Sequence, residues 1–292
     1  MSKRARRRRW VGLLYLSPAL ILYGLIVLVP LVQTVNYSLY KWDGVSEPTW
    51  VGLHNYLQLG RDPRMVAAFG HVVVLIIMFG LVPLGLGLVC ASLLSRAKIR
   101  GEGLYRWFLF LPQVLTSVVV AIIWKRIYAP DGPLNAMLRA VGLEHLTRNW
   151  LGDFTWALPS LGMIGVWGGF GFTMVLFLAG ILAIPDELFE AARLDGANRW
   201  QEFRLITLPS LRGQMAIALT LTITGALRSF DMVYITTQGG PGTATTTPAL
   251  LLYQLAFVNP DVGMASATGI VLAVLCLGIA VAITRTMENK DR

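Results

Sequence analysis

The sequence predicts an all-α integral membrane protein with six spanning helices and both termini in the cytoplasm. Three observations carry this expectation. Of the 292 residues, 55% are hydrophobic and only 14% charged, where a soluble domain averages about 25% charged. Such a chain cannot cover its apolar surface with polar groups, so lipid is the solvent it suits. Six apolar stretches, near 11–35, 67–94, 107–127, 156–183, 213–235 and 263–284, each supply the roughly 20 residues that a ~30 Å hydrocarbon core requires. The lysines and arginines alternate between the intervening segments, heavily on one side and sparsely on the other.

The basic residues set the orientation. With the N-terminus inside, the cytoplasmic segments hold Lys3, Arg4, Arg6, Arg7, Arg8 and Arg9 in the tail 1–10. Arg96, Lys98, Arg100 and Arg106 follow in loop 95–106, and Arg193, Arg199, Arg204 and Arg212 in loop 184–212. Arg285, Lys290 and Arg292 lie in the tail 285–292. The outer loops hold Lys41, Arg61, Arg64, Lys125, Arg126, Arg139 and Arg148, so the balance is seventeen to seven. The net charge of +9 is then the positive-inside bias. No single basic stripe points to nucleic acid.

Each element has its own signals. The first apolar run, beginning at Val11, exceeds the core of a signal peptide, and no convincing cleavage site follows it, so it is expected to remain as a helix. Residues 11–284 are expected to form one transmembrane domain. Pro18, Pro30, Pro83, Pro112 and Pro159 interrupt the spans, which membrane helices tolerate where neighbours satisfy the freed carbonyls. The outer segment 42–65 carries Trp42, Trp50, Tyr56 and a turn at Asp62–Pro63. Segment 128–155 opens on Pro130-Asp131-Gly132-Pro133 and ends near Trp150, and residues 238–242, QGGPG, read as a tight turn. Cys90 and Cys276 lie within apolar runs and read as packing residues. His71, near the start of the second span, reads as a packing or interfacial histidine.

One cytoplasmic segment is unlike the rest. Residues 184–212 read IPDELFEAARLDGANRWQEFRLITLPSLR. Pro185 ends the fourth span, Asp186 can cap a new helix, and Glu187 and Glu190 favour its first turns. Gly196 can break that helix or admit a close backbone approach. A second short helix is expected from about Asn198 to Thr207, stopped by Pro209, with Trp200, Phe203 and Ile206 on one stripe. Two readings stand: an amphipathic linker on the membrane surface, or a docking knob whose small alanines enter a partner's groove.

The string Glu190-Ala191-Ala192, then Asp195-Gly196-Ala197, then Phe203, Ile206, Leu208 and Pro209, resembles the EAA loop of permease subunits in bacterial binding-protein-dependent ABC importers. VGLHNY (51–56), WKRIYAPDGPLN (124–135), FDMVYITTQGGPGTATTT (230–247) and AFVNPDVGMASATGIVL (256–272) resemble the carbohydrate-uptake branch of these permeases. The likeness runs from about residue 10 to residue 284. One departure is Gln238, where glycine or asparagine is frequent. The resemblance implies that segment 184–212 holds the cytoplasmic coupling helices docking on an ATPase. Glu190 would pair with a basic group there, Ala191, Ala192 and Ala197 would permit close packing, Gly196 would supply the bend, and Asp195 would stabilise the following helix or its contact.

The resemblance further implies a second permease subunit, an ATPase dimer that binds the ATP and Mg, and an extracytoplasmic solute-binding protein. This chain is expected to hold no cofactor and no metal. It lacks a phosphate-binding loop of the nucleotide-hydrolase type, and His54, His71 and His145 are too scattered to form a ligand set.

Arg228 and Asp231 are ionisable groups within the fifth span, and such groups are functional candidates. They read either as an i,i+3 ion pair or as a polar lining of the cargo path. By resemblance to the maltose permease, Gly168, Gly169, Phe172, Thr222, Gly225, Ala226 and Ser229 are further candidates for that path. Gly168, Gly169 and Gly171 equally suit close helix packing. The cargo implied is a sugar or polyol. A glycerol-phosphate-type anion met by Arg228 is an alternative, and a membrane-embedded enzyme or a free-standing secondary carrier are readings from other classes.

Overall fold

A computed structural model describes residues 15–95 and 102–288. The basic tail 1–10, residues 96–101 of the loop 95–106 and residues 289–292 of the C-terminal tail lie outside the described residues. Apart from a two-residue strand pair, β1 (Tyr40–Lys41) with β2 (Thr49–Trp50), the regular structure is helical. The described residues fall into two compact units, one drawn from Met1–Arg61 and Leu252–Val271, the other from Asp62–Leu251 and Leu272–Arg292.

The helices, numbered here in chain order, are α1 (Tyr15–Tyr37), α2 (His54–Arg61), α3 (Pro63–Leu94), α4 (Glu102–Val114) and α5 (Ser117–Ile127). There follow α6 (Pro133–Ala140), α7 (Ala157–Leu182), α8 (Asp186–Leu194) and α9 (199–210). The last are α10 (Arg212–Leu227), α11 (Asp231–Thr236), α12 (Pro248–Val258) and α13 (Val262–Glu288). Four of them, α1, α3, α7 and α13, are long and apolar enough to cross a membrane.

The other two expected spans differ from expectation. Residues 107–127 are not one helix. α4 and α5 meet at a 98° bend. Pro112 sits inside α4 and removes a backbone donor, and the Thr116 hydroxyl accepts from the Val119 N–H at 3.4 Å to start α5 afresh. Over 213–235, α10 has 16 residues, about 24 Å at 1.5 Å per residue, and the chain breaks at 228–230 before α11 begins.

Three of the prolines act through widened turns. Gly24–Leu28, Ile77–Leu81 and Phe203–Thr207 are π-helical, and each lies just before a proline, Pro30, Pro83 or Pro209. In each case the residue preceding the proline donates five residues back: Val29 to Gly24, Val82 to Ile77, Leu208 to Phe203. The wider turn takes up the carbonyl that the proline ring would strike and lets the helix continue. Pro209 therefore does not end α9, as the sequence predicted; the helix runs on to Ser210. The turn expected at Asp62–Pro63 is a helix start, where the Asp62 carboxylate accepts from the Arg64 N–H at 2.8 Å.

In the first unit, two distant strings converge on the strand β1 and its flanks. The Asn55 amide donates to the Ser38 and Tyr40 carbonyls at 2.8 and 2.9 Å. The Gly263 N–H donates to the Trp42 carbonyl at 3.2 Å. A Cβ at Gly263 would strike the Tyr40 carbonyl oxygen, so only glycine fits.

In the second unit α7 is the central helix. One cluster joins its Leu161 and Ile164 to Leu75, Val120, Ala226, Val233 and Leu250. A second joins Met174, Phe177, Leu178 and Ile181 to Ala91, Leu211 and Ala218. Glycines set the spacing: a Cβ at Gly87 would meet the Thr173 hydroxyl, and one at Gly171 the Leu109 carbonyl. The Thr173 hydroxyl donates to the Pro83 carbonyl at 2.7 Å, tying α7 to α3.

Asn135 organises segment 128–155. It is almost fully buried. Its amide nitrogen faces the carbonyls of Ala129, Pro130 and Arg148, and its oxygen accepts from the Arg148 N–H and the Trp150 indole. Asn135→Ala strands several buried partners, at roughly 1–3 kcal/mol for each group left unsatisfied. The expected result is a clearly lower unfolding temperature in detergent, and Asn135→Asp, which lacks the donors, fares no better.

The QGGPG turn adopts positive φ at Gly239 (+90°) and Gly242 (+57°), and also at Gln238 (+52°). The departure from the common residue thus falls on a left-handed position. Such a backbone costs an L residue roughly 1–2 kcal/mol relative to its preferred regions. Gln238→Gly or Gln238→Asn is expected to raise the melting temperature, read by thermal unfolding of the purified chain. His71 pins the neighbouring loop, its Nδ1 lying 2.9 Å from the Thr246 carbonyl, which makes it the packing histidine the sequence suggested.

Candidate functional site

The segment 184–212 is a helical elbow built by short-range rules. α8 opens after Pro185 with no side-chain cap. Asp186, expected as the cap, occupies the first turn with Glu187, where both acids meet the positive end of the helix dipole. α8 closes on Gly196, whose φ is +82°. The Ala197 N–H donates to the Ala192 carbonyl at 2.9 Å, and the Gly196 N–H to the Arg193 carbonyl at 3.1 Å, the two bonds of a Schellman ending. Asn198 immediately caps α9, accepting from Trp200 and Gln201 at 3.0 Å, while Gln201 reaches back to the Asn198 N–H at 2.8 Å. Asp195-Gly196-Ala197-Asn198 therefore ends one helix and begins the next without a spare residue.

Glu190, Ala191, Asp195 and Gly196 are exposed, with Ala192 and Ala197 half-buried. A Cβ at Gly196 would meet nothing within 4 Å. Its glycine is required by the backbone angle and not by crowding within this chain. Large apolar groups project beside them: Leu194 is 89% exposed and Trp200 66%, with the Trp200 ring stacked on Phe203. Sequence reasoning passed over Leu194, although a leucine next to Asp-Gly at a helix end is a legible signal.

It also passed over an ion pair across the elbow. The Arg193 Nε donates to Glu202 Oε1 at 2.9 Å, and the Glu202 side chain is only 3% exposed. The hydrogen bond and charge of Glu202 push the Arg193 guanidinium above its ordinary range. Behind the elbow, Leu211 is fully buried in the second cluster against α7. A Cβ at Gly180 would meet Leu211 and Gln214, so the base of the elbow is packed directly on α7.

The cargo-path candidates separate. Ala226 is fully buried in the first cluster, and Ser229 is buried as well. Gly168 and Gly225 have open space where a side chain would lie, and Gly169 has ordinary contacts with Pro83. Phe172 and Thr222 are half-buried, and the Thr222 hydroxyl is returned to the Ala218 carbonyl at 2.8 Å.

Arg228 and Asp231 are not an i,i+3 pair on one helix. Arg228 terminates α10, Asp231 starts α11, and among the described residues no ion pair joins them. Asp231 instead accepts from the Ser117 hydroxyl at 3.0 Å. The break is possible because the Thr247 hydroxyl donates to the freed Ser229 carbonyl at 2.9 Å. The Ser229 hydroxyl itself is buried, with no hydrogen-bond partner among the described residues. Nearby, a groove of about 640 Å³ is lined by Lys125, Arg126, Tyr128, Asn149, Thr237 and Pro241, among others.

Apolar helices able to cross a membrane, a broken helix beside polar groups and an exposed elbow anchored in the helix core together define a membrane transport component. Residues 83–287 match the family described as binding-protein-dependent transport system inner membrane component. The chain belongs to that family and is a multi-pass protein of the inner membrane. It is 37% identical over 270 residues to a probable ABC transporter permease protein, YurN, of Bacillus subtilis (strain 168), covering 91% of this chain and 92% of that one. It is 35% identical over 280 residues to the diacetylchitobiose uptake system permease protein NgcF of Streptomyces coelicolor, covering 92% and 79%. In fold it is similar to a chain of a bacterial ABC transporter involved in import of the acidic polysaccharide alginate, with a TM-score of 0.83, 23% identity and 98% of each chain covered.

Proposed function

We propose that this chain is a permease subunit of an ATP-driven importer for a sugar or related polyol delivered by an extracytoplasmic binding protein. The observation carrying the mechanism is the elbow: an exposed, small-residue bend whose base is packed on α7 through Leu211. The family match and the uptake of diacetylchitobiose named for NgcF support a sugar over a glycerol-phosphate-type anion or a membrane-embedded enzyme.

In this reading six crossings are made by α1, α3, the bent pair α4–α5, α7, α10 with α11, and α13, with both termini cytoplasmic. The basic residues support that orientation. Residues 11–284 act as one permease domain between the tails 1–10 and 285–292. A second permease completes the pore, and an ATPase dimer holds the ATP and Mg.

Closure of the ATPase dimer moves the elbow, and the elbow moves α7 and α10, so that the pore alternates its facing. Glu190 meets a basic group of the ATPase. Ala191, Ala192 and Ala197 admit close approach, Gly196 holds the bend, and Asp195 steadies the following helix. Gly168, Gly169, Phe172, Thr222, Gly225, Ala226, Arg228, Ser229 and Asp231 remain the cargo-path candidates. The small groups at 168 and 225 leave room for a cargo.

Purification of the membrane complex with its binding protein tests this reading. An ATPase subunit is expected to copurify, and mass spectrometry of the released small molecule is expected to identify an uncharged saccharide or polyol. A phosphorylated ligand would replace the cargo assignment, and transport by this chain without any ATPase would remove the mechanism.

A further inference from the structure

We infer that Glu202 is a positioning residue of the elbow, acting through Arg193 to hold α8 and α9 as one rigid lever. The inference rests on the reading of 184–212 as the segment that receives force from the ATPase.

The two side chains occupy contrasting environments. No residue of α8 goes beyond half-burial, which is reached by Phe189 and Ala192. α9 begins exposed at Trp200, yet two residues later Glu202 is buried. Glutamate is almost never buried unless paired, and here one partner comes from the other limb of the elbow. Arg193 Nε donates to Glu202 Oε1 at 2.9 Å while the rest of the Arg193 side chain stays 61% exposed. Arg193 also lies in the field of Glu190 and Asp186 on its own helix.

This link crosses the bend at Asp195–Asn198, the point where a load on α8 would otherwise be lost as flexing. Gly196 gives the bend its direction, and its backbone bonds are local. The ion pair closes a longer loop of the chain and resists rotation of α8 about that bend. A partner docked on the elbow cannot touch a side chain as buried as Glu202. An effect of altering it is therefore not the loss of a contact with the docked partner, which separates positioning from docking.

The experiment uses the full chain assembled with its second permease and ATPase subunits, with spin labels replacing the exposed Leu188 and Leu205. Pulsed electron–electron distance measurements are expected to give one narrow population across the elbow. Glu202→Gln, which keeps the shape and an acceptor but not the charge, is expected to broaden it. The same variant is expected to lower the stimulation of ATP hydrolysis by the binding protein several-fold, with the ATPase still copurifying. Arg193→Lys, at an exposed position that disturbs no core, is expected to be intermediate and serves if Glu202→Gln does not assemble. Narrow distances and full stimulation in both variants overturn the inference. Failure of the unaltered chain to retain the ATPase instead sinks the docking reading on which it rests.

Discussion

Gly196→Val is expected to abolish uptake by a chain that still inserts and still assembles with its partner permease. The residue sits at φ +82°, where an L side chain costs roughly 1–2 kcal/mol and a β-branched one more. Nothing lies within 4 Å of the added Cβ, so the penalty falls on the backbone of the elbow and leaves the core intact. The elbow relieves it by opening the Schellman bond from Ala197 to Ala192, and α8 swings away from its docking direction. A graded series checks this: Gly196→Asn near wild type, because asparagine tolerates the left-handed region, then alanine, then valine. Uptake in proteoliposomes, read beside ATP hydrolysis, should fall in that order. Undiminished uptake in the valine variant would count against the elbow as the coupling element.

Gly171→Leu is expected to fail earlier, at folding. A Cβ there meets the Leu109 carbonyl of α4, a backbone atom that cannot rotate aside. Overpacking of this kind costs about 1–3 kcal/mol and sometimes more, and here it separates α4 from the central helix. Membrane yield and the melting temperature in detergent should both drop sharply. Gly168→Leu is the control, three residues away with open space where the side chain would go. It should fold, and its effect should appear in uptake if residue 168 borders the cargo path. Equal stability of the two variants would show that α4 does not pack on α7 at this point.

These contrasts mark what could be read in the residues. Gly168, Gly169 and Gly171 all suited close packing, and the first two a cargo path as well; in the structure Gly171 is a contact with α4 and Gly168 faces open space, and nothing in the string WGGFGF distinguishes them. Ala226 looked like its neighbour Gly225, yet one is core and the other exposed. The elbow was nearly complete in the sequence, with its glycine bend, its acids and its small residues. Its cross-link was not, because Arg193 and Glu202 are nine residues apart on different helices, and only the turn between them decides that they meet.

From its sequence alone, this protein is a chain of membrane-crossing helices, with helix ends at Asn198 and Gly196 and a polar elbow between the fourth and fifth apolar stretches. Those features follow from hydropathy, capping and backbone angle, which act within a turn or two of the residue concerned. Only the tertiary structure decided that the third and fifth stretches are interrupted and that Arg228 and Asp231 part company. Pro112 and the Thr116 cap act locally at the first break, but the side chains beside both breaks find their partners far along the chain, Ser117 to Asp231 across 114 residues and Thr247 to Ser229 across 18. A helix in lipid breaks where a distant hydroxyl can take up the exposed carbonyl or carboxylate, and no local pattern announces where that hydroxyl will lie.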